Sequence, residues 1–214
     1  MPLSVMGHSD SCLTVDLGAI IANWRYIDSL SSATTTAAMV KANGYGLGAK
    51  NVAEALANAG CTEFFVANLG EAITLRQHLD ERGHKQLHIM TLHGCQPDGI
   101  DDHIAFRITP VLNDLEQLSR WRMCSQQRSE SLPALLHIDT GMTRLGFDAD
   151  QIDWLIENKS ALDGLDCRYL MSHLVSAEVA DDPTNTLQLA AFNEWRRCFP
   201  GMPASLANSA GSML

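Results

Sequence analysis

The chain has 214 residues, of which 46% are apolar, and its formal net charge is -10 from 15 basic and 25 acidic side chains. This length suits one domain or two small ones, and the apolar fraction is enough for a substantial buried core. Because there is no basic run and no stretch of about 18 apolar residues, we expect neither nucleic-acid binding nor a membrane span. The negative charge identifies no ligand, and a solvated surface is its simplest interpretation.

Six cysteines are scattered along the chain without a CxxC pair. A chain of this size does not need disulfide staples, so reduced thiols and a cytoplasmic location are expected. Residues 1–12, with the sequence MPLSVMGHSDSC, lack the charged start and the apolar segment of a signal peptide. They are expected to form a short, loose N-terminal tail.

Short apolar runs alternate with helical patterns along the chain. Seven runs have the length and composition of strands in a buried parallel sheet, at residues 37–41, 63–67, 87–92, 106–112, 134–139, 167–173 and 204–208. The helical patterns have apolar positions three or four apart, at Ile20/Trp24/Ile27, Val52/Leu56, Ala72/Leu75/Leu79, Leu115/Leu118/Trp121, Ile152/Leu155/Ile156 and Leu187/Ala191/Trp195. Asp16 is expected to cap the first helix, and Asn113 with Glu116 three positions later resembles a capping box.

Repeated strand–helix units of this kind predict an α/β fold with a parallel sheet, either an open doubly wound sheet or a closed (β/α)8 barrel. Periodicity does not choose between the two. A barrel needs an eighth strand to close its edges, and seven core strands follow the first helix, so the barrel interpretation implies an incomplete barrel. In both architectures the active site lies at the carboxyl ends of the strands.

Lys41 ends the first core strand and is followed by a glycine-rich loop. A buried amine at this place can act as a nucleophile toward a carbonyl, whereas the simpler alternative is a lysine that extends past the strand end into water. The loop has Gly44, Gly46 and Gly48 around Tyr45 and matches neither a Walker loop nor a GxGxxG dinucleotide motif. It therefore also fits an ordinary turn.

Three later strands end in polar residues as well. The fifth leads to Arg144, which can offer two donors to an oxygen anion or be held in a structural ion pair by Asp139. The sixth ends at His173, and a lone histidine in this position is more often structural than catalytic. The seventh ends in the sequence NSAG at residues 208–211, whose small side chains and backbone amides suit a phosphate.

Three segments carry a resemblance to a known family. VKANGYGLG (40–48) is similar to the pyridoxal-lysine motif of alanine racemases, IDTGMTRLG (138–146) to their second signature, and ANSAG (207–211) to a third. They occur in the family's order and at about its spacing. The resemblance implies a TIM-type (β/α)8 barrel of pyridoxal-phosphate fold type III, followed in the family by a C-terminal β domain. Residues 13–214 would then be an incomplete barrel domain with about seven strands and without that second domain.

The resemblance also implies what the strand-end residues do. Lys41 would be the catalytic residue and would form a Schiff base with pyridoxal 5'-phosphate. Tyr45 and Ser209 would bind the phosphate group, and Asn208 would line the pocket. The implied reaction interconverts L-alanine and D-alanine through an aldimine on Lys41, which supplies D-alanine for peptidoglycan.

Arg144 would contact the phenolic oxygen of the cofactor and the carboxylate of the amino-acid substrate, and His173 would lie beside the cofactor ring. Many family members have a lysine, often carbamylated, seven residues before this arginine, whereas this chain has His137. The family's ring-nitrogen arginine and its second catalytic residue, a tyrosine contributed across a homodimer interface, would lie beyond Leu214. We therefore expect cofactor capture by Lys41 and no racemisation by these 214 residues alone.

Three other functions compete with this one. A small barrel protein that binds pyridoxal phosphate without racemising anything suits the length, but IDTGMTRLG and ANSAG favour the racemase. An inactive remnant suits the missing eighth strand. A metal-dependent hydrolase is not favoured, because His84, His88 and His93 have neither an HExxH pattern nor a carboxylate partner, so no metal is expected.

Overall fold

The computed structural model describes residues 13–214, so the expected tail at residues 1–12 and Cys12 lie outside the described part of the chain. Its helical segments are α1 (Leu17–Ser29), α2 (Lys41–Tyr45), α3 (Ala49–Asn58), α4 (Leu69–Glu81), α5 (Ile100–Ala105), α6 (Leu115–Arg128), α7 (Ala149–Glu157) and α8 (Pro183–Cys198), of which α2 is a single left-handed turn. Its strands are β1 (Ala38–Met39), β2 (Glu63–Val66), β3 (His88–Thr91), β4 (Ile108–Leu112), β5 (Leu132–His137), β6 (Leu165–Met171) and β7 (Ala204–Ser205). Within residues 13–214, no helix combines the length and the apolar character that crossing a bilayer requires.

The strands form one parallel sheet in chain order from β1 to β7, and at least one helix lies in each crossover. Every neighbouring pair is parallel, and the paired residues lie mostly within the runs that were expected to form strands. Between β5 and β6 the pairing begins earlier, at Leu132 and Leu165, and its register shifts between Ala134 and Leu135. The seven predicted strands are therefore confirmed, although several end earlier than their apolar runs. This alternation is the α/β architecture that the sequence predicts.

The sheet curls into an incomplete barrel rather than staying flat, and β1 and β7 are its two edge strands, as expected. A flat sheet would separate β2 from β6 by four strand spacings, or roughly 19 Å. Instead, the Tyr169 hydroxyl on β6 donates to the Glu63 carboxylate on β2 at 2.7 Å. The Arg168 guanidinium on β6 also lies 2.9 Å from Nδ1 of His88 on β3. These contacts cross the interior and decide between the two architectures that periodicity left open.

Apolar side chains pack on both faces of the sheet. On the outer face there are two clusters, one in which the strand residue Phe64 packs with the helix residue Leu75, and one in which Leu136 packs with Trp121. A smaller cluster fills the barrel interior and consists of Phe65, Met90, Val111, Leu135 and Met171. Each large apolar side chain buried in this way contributes about 1.5–3 kcal/mol to stability. Because side chains alternate along a strand, the inner cluster also determines which strand-end residues face the barrel mouth.

Helix starts are set by side chains that accept the first amide hydrogen bonds. Asp16 caps α1 as expected and accepts one of these bonds at 3.1 Å. The capping box expected at Asn113 is wrong, because Asp114 caps α6 and accepts from the Gln117 amide at 2.7 Å. Asn113 is buried instead, where its side-chain amide donates to two strand-end carbonyls.

The apolar stripe expected on α8 is confirmed only in part: Trp195 packs against the core beside the buried Phe192, but Leu187 does not. Leu187 is 68% exposed, whereas Asn185 and Gln188 are buried. Polar residues take the inner face in the first two turns of α8, because the backbone after β6 needs hydrogen-bond partners. Gln188 meets this need by accepting from the Val175 amide and donating to the His173 carbonyl, both at 2.9 Å. The inner face of α8 therefore supports the strand-end segment that contains His173.

Candidate functional site

Charged and imidazole side chains meet at the carboxyl ends of the strands. His137 and His173 come two residues after positions whose side chains fill the barrel, so alternation directs them into its mouth. Burial lowers the pKa of the His173 imidazole, and the positive charges of Arg144 and Lys41 lower it further. The structure thus brings together residues that the sequence placed on three different strand ends.

Lys41 begins a turn of unusual handedness. The strand ladder continues as far as Val40, whose amide donates to the Phe65 carbonyl at 2.9 Å, so Lys41 lies one residue beyond the strand it was expected to end. Residues 42–45 all have left-handed φ angles, between 51° and 64°. Such a conformation costs about 1–2 kcal/mol for each non-glycine residue, so other contacts are needed to hold the turn.

The left-handed turn brings Tyr45 back beside Lys41. The Lys41 Nζ atom lies 6.0 Å from the centre of the Tyr45 ring, and the Tyr45 side chain is 62% exposed. Partial burial raises the pKa of the Tyr45 phenol, so its hydroxyl is a protonated donor at neutral pH. Gly44 makes the turn possible, because a Cβ at this position would lie 3.1 Å from the Ala49 nitrogen.

A short loop returns Arg144 to the end of β5. Residues 138 and 147 form a parallel bridge, and the Phe147 amide donates to the His137 carbonyl at 2.7 Å. Inside the loop, the Asp139 carboxylate accepts from two backbone amides at 2.9 and 3.0 Å. Over residues 13–214 no ion pair joins Asp139 to Arg144. Asp139 therefore shapes the loop, and the exposed Arg144 guanidinium is left for a ligand.

His137 is a neutral imidazole with a defined tautomer. Its Nδ1 lies 2.8 Å from Oδ1 of Asn113, whose side-chain nitrogen already donates to backbone carbonyls. The amide oxygen must accept, so Nδ1 carries the proton and Nε2 is left as an acceptor. Burial, followed by the charges of His173 and Arg144, lowers the pKa of His137 to about 4, while Asp139 opposes this effect.

Two polar residues that shape the mouth were not predicted from the sequence. Asn113 fixes the His137 ring, and Gln188 fixes the backbone at His173. Asn113 could have been identified from its place on the inward side of a strand end, two residues after the buried Val111. Gln188 lies within a helix and has no comparable signal.

The segment after β7 presents unused hydrogen-bond donors. Asn208 closes a tight turn, since its Oδ1 accepts from the Gly211 amide at 2.8 Å and its carbonyl accepts from the Ser212 hydroxyl at 3.0 Å. In the described part of the chain, the amides of Ser209 and Ala210 have no acceptor. These two amides and the exposed Ser209 hydroxyl form a group of donors that suits an anion such as phosphate.

A cleft of about 590 Å³ lies at the other end of the barrel, and its lining includes Arg76, Asp80 and Arg107. Asp80 pairs with Arg107 at 2.7 Å and with Arg76 at 3.6 Å, and Arg76 also donates to main-chain carbonyls. These opposite charges pair with one another, although Nη1 of Arg76 and Oδ1 of Asp80 make no hydrogen bond, and the pairing favours a structural role for this cleft. Nowhere in residues 13–214 do three His, Cys, Asp or Glu side chains gather as a metal site would require.

Known proteins are similar to this chain in sequence and in fold. The family described as "Alanine racemase, N-terminal domain" matches residues 15–214. The catabolic alanine racemase of Agrobacterium fabrum is 39% identical over 208 residues, which cover 97% of this chain and 53% of that protein. The catabolic alanine racemase of Mesorhizobium japonicum is 42% identical over 202 residues, covering 94% and 52%. The chain spans about half the length of the curated relatives it matches.

A solved structure has the same fold. The crystal structure of alanine racemase from Bartonella henselae with covalently bound pyridoxal phosphate has a TM-score of 0.88 to this barrel at 36% sequence identity. The match covers 94% of this chain and 55% of that one. The family match extends over almost the whole described chain, and the strand-end motifs and the parallel barrel agree with it. The chain therefore belongs to the alanine racemase family and has the fold of its N-terminal domain.

Proposed function

We propose that this chain is the cofactor-binding part of an alanine racemase and that Lys41 captures pyridoxal 5'-phosphate. The observation that carries the proposal is the meeting of Lys41, Arg144 and the neutral imidazoles of His137 and His173 in one barrel mouth. An amine nucleophile beside the guanidinium cation of Arg144 suits an anionic aldehyde. The Bartonella henselae relative holds this cofactor covalently, which supports the same use here.

The donors around the mouth fit an aldehyde cofactor that carries a phosphate. The Ser209 hydroxyl and the unused amides of residues 209 and 210 would bind the phosphate, together with the Tyr45 hydroxyl. Arg144 would donate to the phenolic oxygen, and Asn208 would line the pocket. His173 would lie beside the ring, where its lowered pKa keeps it uncharged at neutral pH.

Pyridoxal phosphate, when bound, supplies an electron sink for charge that develops at the α-carbon of an amino acid. Lys41 would hold the cofactor covalently through its Nζ atom, with the aldehyde oxygen leaving as water. The substrate amine would displace Lys41 from the cofactor, which would leave a free amine at Nζ. That amine can remove the α-proton of D-alanine from the face it lies on.

Arg144 would also bind the substrate carboxylate. Because burial and nearby charges keep His137 and His173 uncharged at neutral pH, the Arg144 guanidinium would be the cationic partner of the substrate carboxylate. This arrangement would fix the α-carbon relative to Lys41. The orientation of one α-proton toward Nζ is the geometric requirement for its transfer.

We further propose a cytoplasmic homodimer that provides D-alanine for peptidoglycan. The acid–base group for the opposite face of the α-carbon would come from the partner subunit. Exposed apolar side chains such as Val179 and Leu187 suit an interface of this kind, and free cysteines, five in the described part of the chain, suit a reducing compartment. Residues 13–214 would form the barrel domain, and residues 1–12 its tail.

Borohydride reduction followed by peptide mass analysis tests cofactor capture. After incubation with pyridoxal phosphate, the label is expected on Lys41 in the wild-type protein and is expected to be lost in Lys41→Ala. Lys50→Ala is the matched control, since Lys50 is exposed at the start of the next helix. A label on another lysine, or none in the wild-type protein, contradicts the proposal.

Addition of D-alanine to the loaded protein tests the racemase part of the proposal. A change in the visible absorption spectrum is expected, because the substrate amine replaces Lys41 on the cofactor. A barrel protein that only stores the cofactor would show no such response. An unchanged spectrum with Lys41 labelled would therefore favour the storage function.

A further inference from the structure

The Glu71 carboxylate lies between the ends of β1 and β2. Glu71 is in the first turn of α4, where the Asn68 side chain accepts from its amide at 3.0 Å. One carboxylate oxygen, Oε1, accepts from the Ala42 amide, and the other, Oε2, accepts from the Ala67 amide, both at 2.8 Å. A single side chain therefore fastens the residue that follows Lys41 to the segment that follows β2.

The turn held by Glu71 is one that the backbone rarely adopts. Residues 42–45 are all left-handed, and three of the four are not glycine. The Gly46 amide donates to the Ala42 carbonyl at 3.0 Å, and the Asn43 side chain accepts from the Ala49 amide at 3.0 Å. Neither bond involves the Ala42 amide, for which Glu71 is the sole acceptor within residues 13–214.

We propose that Glu71 is a positioning residue for Lys41. By holding the amide directly after Lys41, it fixes the direction in which the lysine leaves the strand, toward the barrel mouth rather than into solvent. It is not a catalytic residue, because both of its oxygens are occupied by backbone amides. The inference rests on the proposed function only in assigning cofactor capture to Lys41. The two hydrogen bonds of Glu71 form without any ligand.

Glu71→Gln is the most direct probe of this role. The variant keeps the size of the side chain but replaces one acceptor with an NH2 donor, which then faces a backbone amide hydrogen. Glu81→Gln is the matched control, because it makes the same change of charge at the exposed end of the same helix. A purely electrostatic effect of the lost charge on the whole chain would affect both variants.

Two measurements are made on each variant. Hydrogen exchange detected by mass spectrometry reports on the amides of residues 41–48 without any cofactor. The rate of pyridoxal phosphate capture at Lys41, trapped with borohydride, reports on the position of the amine. For Glu71→Gln we expect faster exchange and slower capture, each by about tenfold or more, as for the loss of one hydrogen bond to a charged group. Glu81→Gln is expected to match the wild-type protein.

Ala42→Gly in the Glu71→Gln background distinguishes positioning from general damage. Glycine adopts a φ near the 51° of Ala42 without strain, so capture is expected to recover toward the wild-type rate. Capture by Glu71→Gln at the wild-type rate overturns the inference, as does exchange that rises throughout the barrel without rescue by glycine. If Glu71→Gln does not fold, Glu71→Asp, with the same oxygens on a shorter side chain, is measured with the same expectations.

The proposed function and the role of Glu71 can fail separately. If wild-type Lys41 captures no cofactor, the proposed function is wrong. Exchange at residues 41–48 then decides about Glu71 alone: faster exchange confined to this segment in Glu71→Gln supports the inference. Exchange equal to that of Glu81→Gln overturns it.

Discussion

The buried imidazole of His137 makes stability depend on pH in a calculable way. Burial and the charges of His173 and Arg144 lower its pKa from the ordinary value of 6.5 to about 4 in the folded chain. Between these values the unfolded chain binds a proton that the folded chain does not, so the free energy of unfolding falls as the pH decreases from about 6.5 to about 4. At about 1.36 kcal/mol per pH unit, the stability lost is about 3 kcal/mol.

His137→Gln removes this titration, while its side-chain amide can still donate to Asn113. His88, His103 and His173 also have lowered pKa values, mainly through burial, and they contribute to acid destabilisation in both proteins. The comparison is therefore between two pH dependences, each measured by urea unfolding followed by tryptophan fluorescence at pH 7 and pH 4. We expect the wild-type protein to lose about 3 kcal/mol more than the variant over this range. Equal losses of stability in the two proteins would refute the conclusion that burial and nearby charge lower the pKa of His137.

Three further substitutions test the contacts around the site. Gly146→Ala adds a methyl group 2.8 Å from a backbone nitrogen at a φ of 113°, so we expect a loss of about 2 kcal/mol or more in thermal unfolding. Gly201→Ala is its control, with a φ of 87° and no atom within 4 Å, and an equal loss there would show that crowding is not the cause. Gln188→Leu leaves the His173 carbonyl unpaired and is expected to cost about 1–3 kcal/mol in urea unfolding, whereas a neutral effect would mean that water replaces the amide. Asp114→Ala removes the cap of α6 and is expected to cost about 1 kcal/mol, and no change in the same assay would contradict the assigned cap.

The strands could be predicted from the sequence because each is covered on both faces, by helices outside and by the barrel cluster inside. Continuous apolar runs are the result of that burial. The curl of the sheet could not be predicted in the same way. The side-chain contacts that cross the interior join residues 80 and 106 positions apart, from Arg168 to His88 and from Tyr169 to Glu63, and no local pattern records them.

The wrongly predicted cap of α6 shows that neighbouring residues alone do not determine which side chain caps a helix. Asn113 and Asp114 are adjacent, and each has a Glu or Gln three positions later, so either fits a capping box. The hydrogen bond from His137, 24 positions along the chain, occupies the Asn113 side chain and leaves the cap to Asp114. Glu71 was missed for the same reason, since its partner Ala42 is 29 positions away.

The sequence pattern predicted the positions of the site residues but not their roles. Strand-end positions drew attention to Lys41, Arg144 and His173, but their roles came from the resemblance of three motifs rather than from periodicity. The loop that carries Arg144 is shaped by Asp139 through backbone amides, whereas the sequence equally allowed an ion pair between the two. Side-chain chemistry alone does not distinguish a carboxylate that binds an arginine from one that binds its own loop.

The polar contacts across the barrel floor have a consequence for what happens at its opposite end. Burial and Glu63 raise the pKa of Tyr169 to about 12, so its phenol stays a donor and this tie persists at any physiological pH. With the second bond from Arg168 to His88, side chains as well as backbone pairing set the curvature of the wall. The barrel wall is therefore preorganised for a small molecule that binds at the carboxyl ends of the strands, and little binding free energy is lost to reorganising the wall.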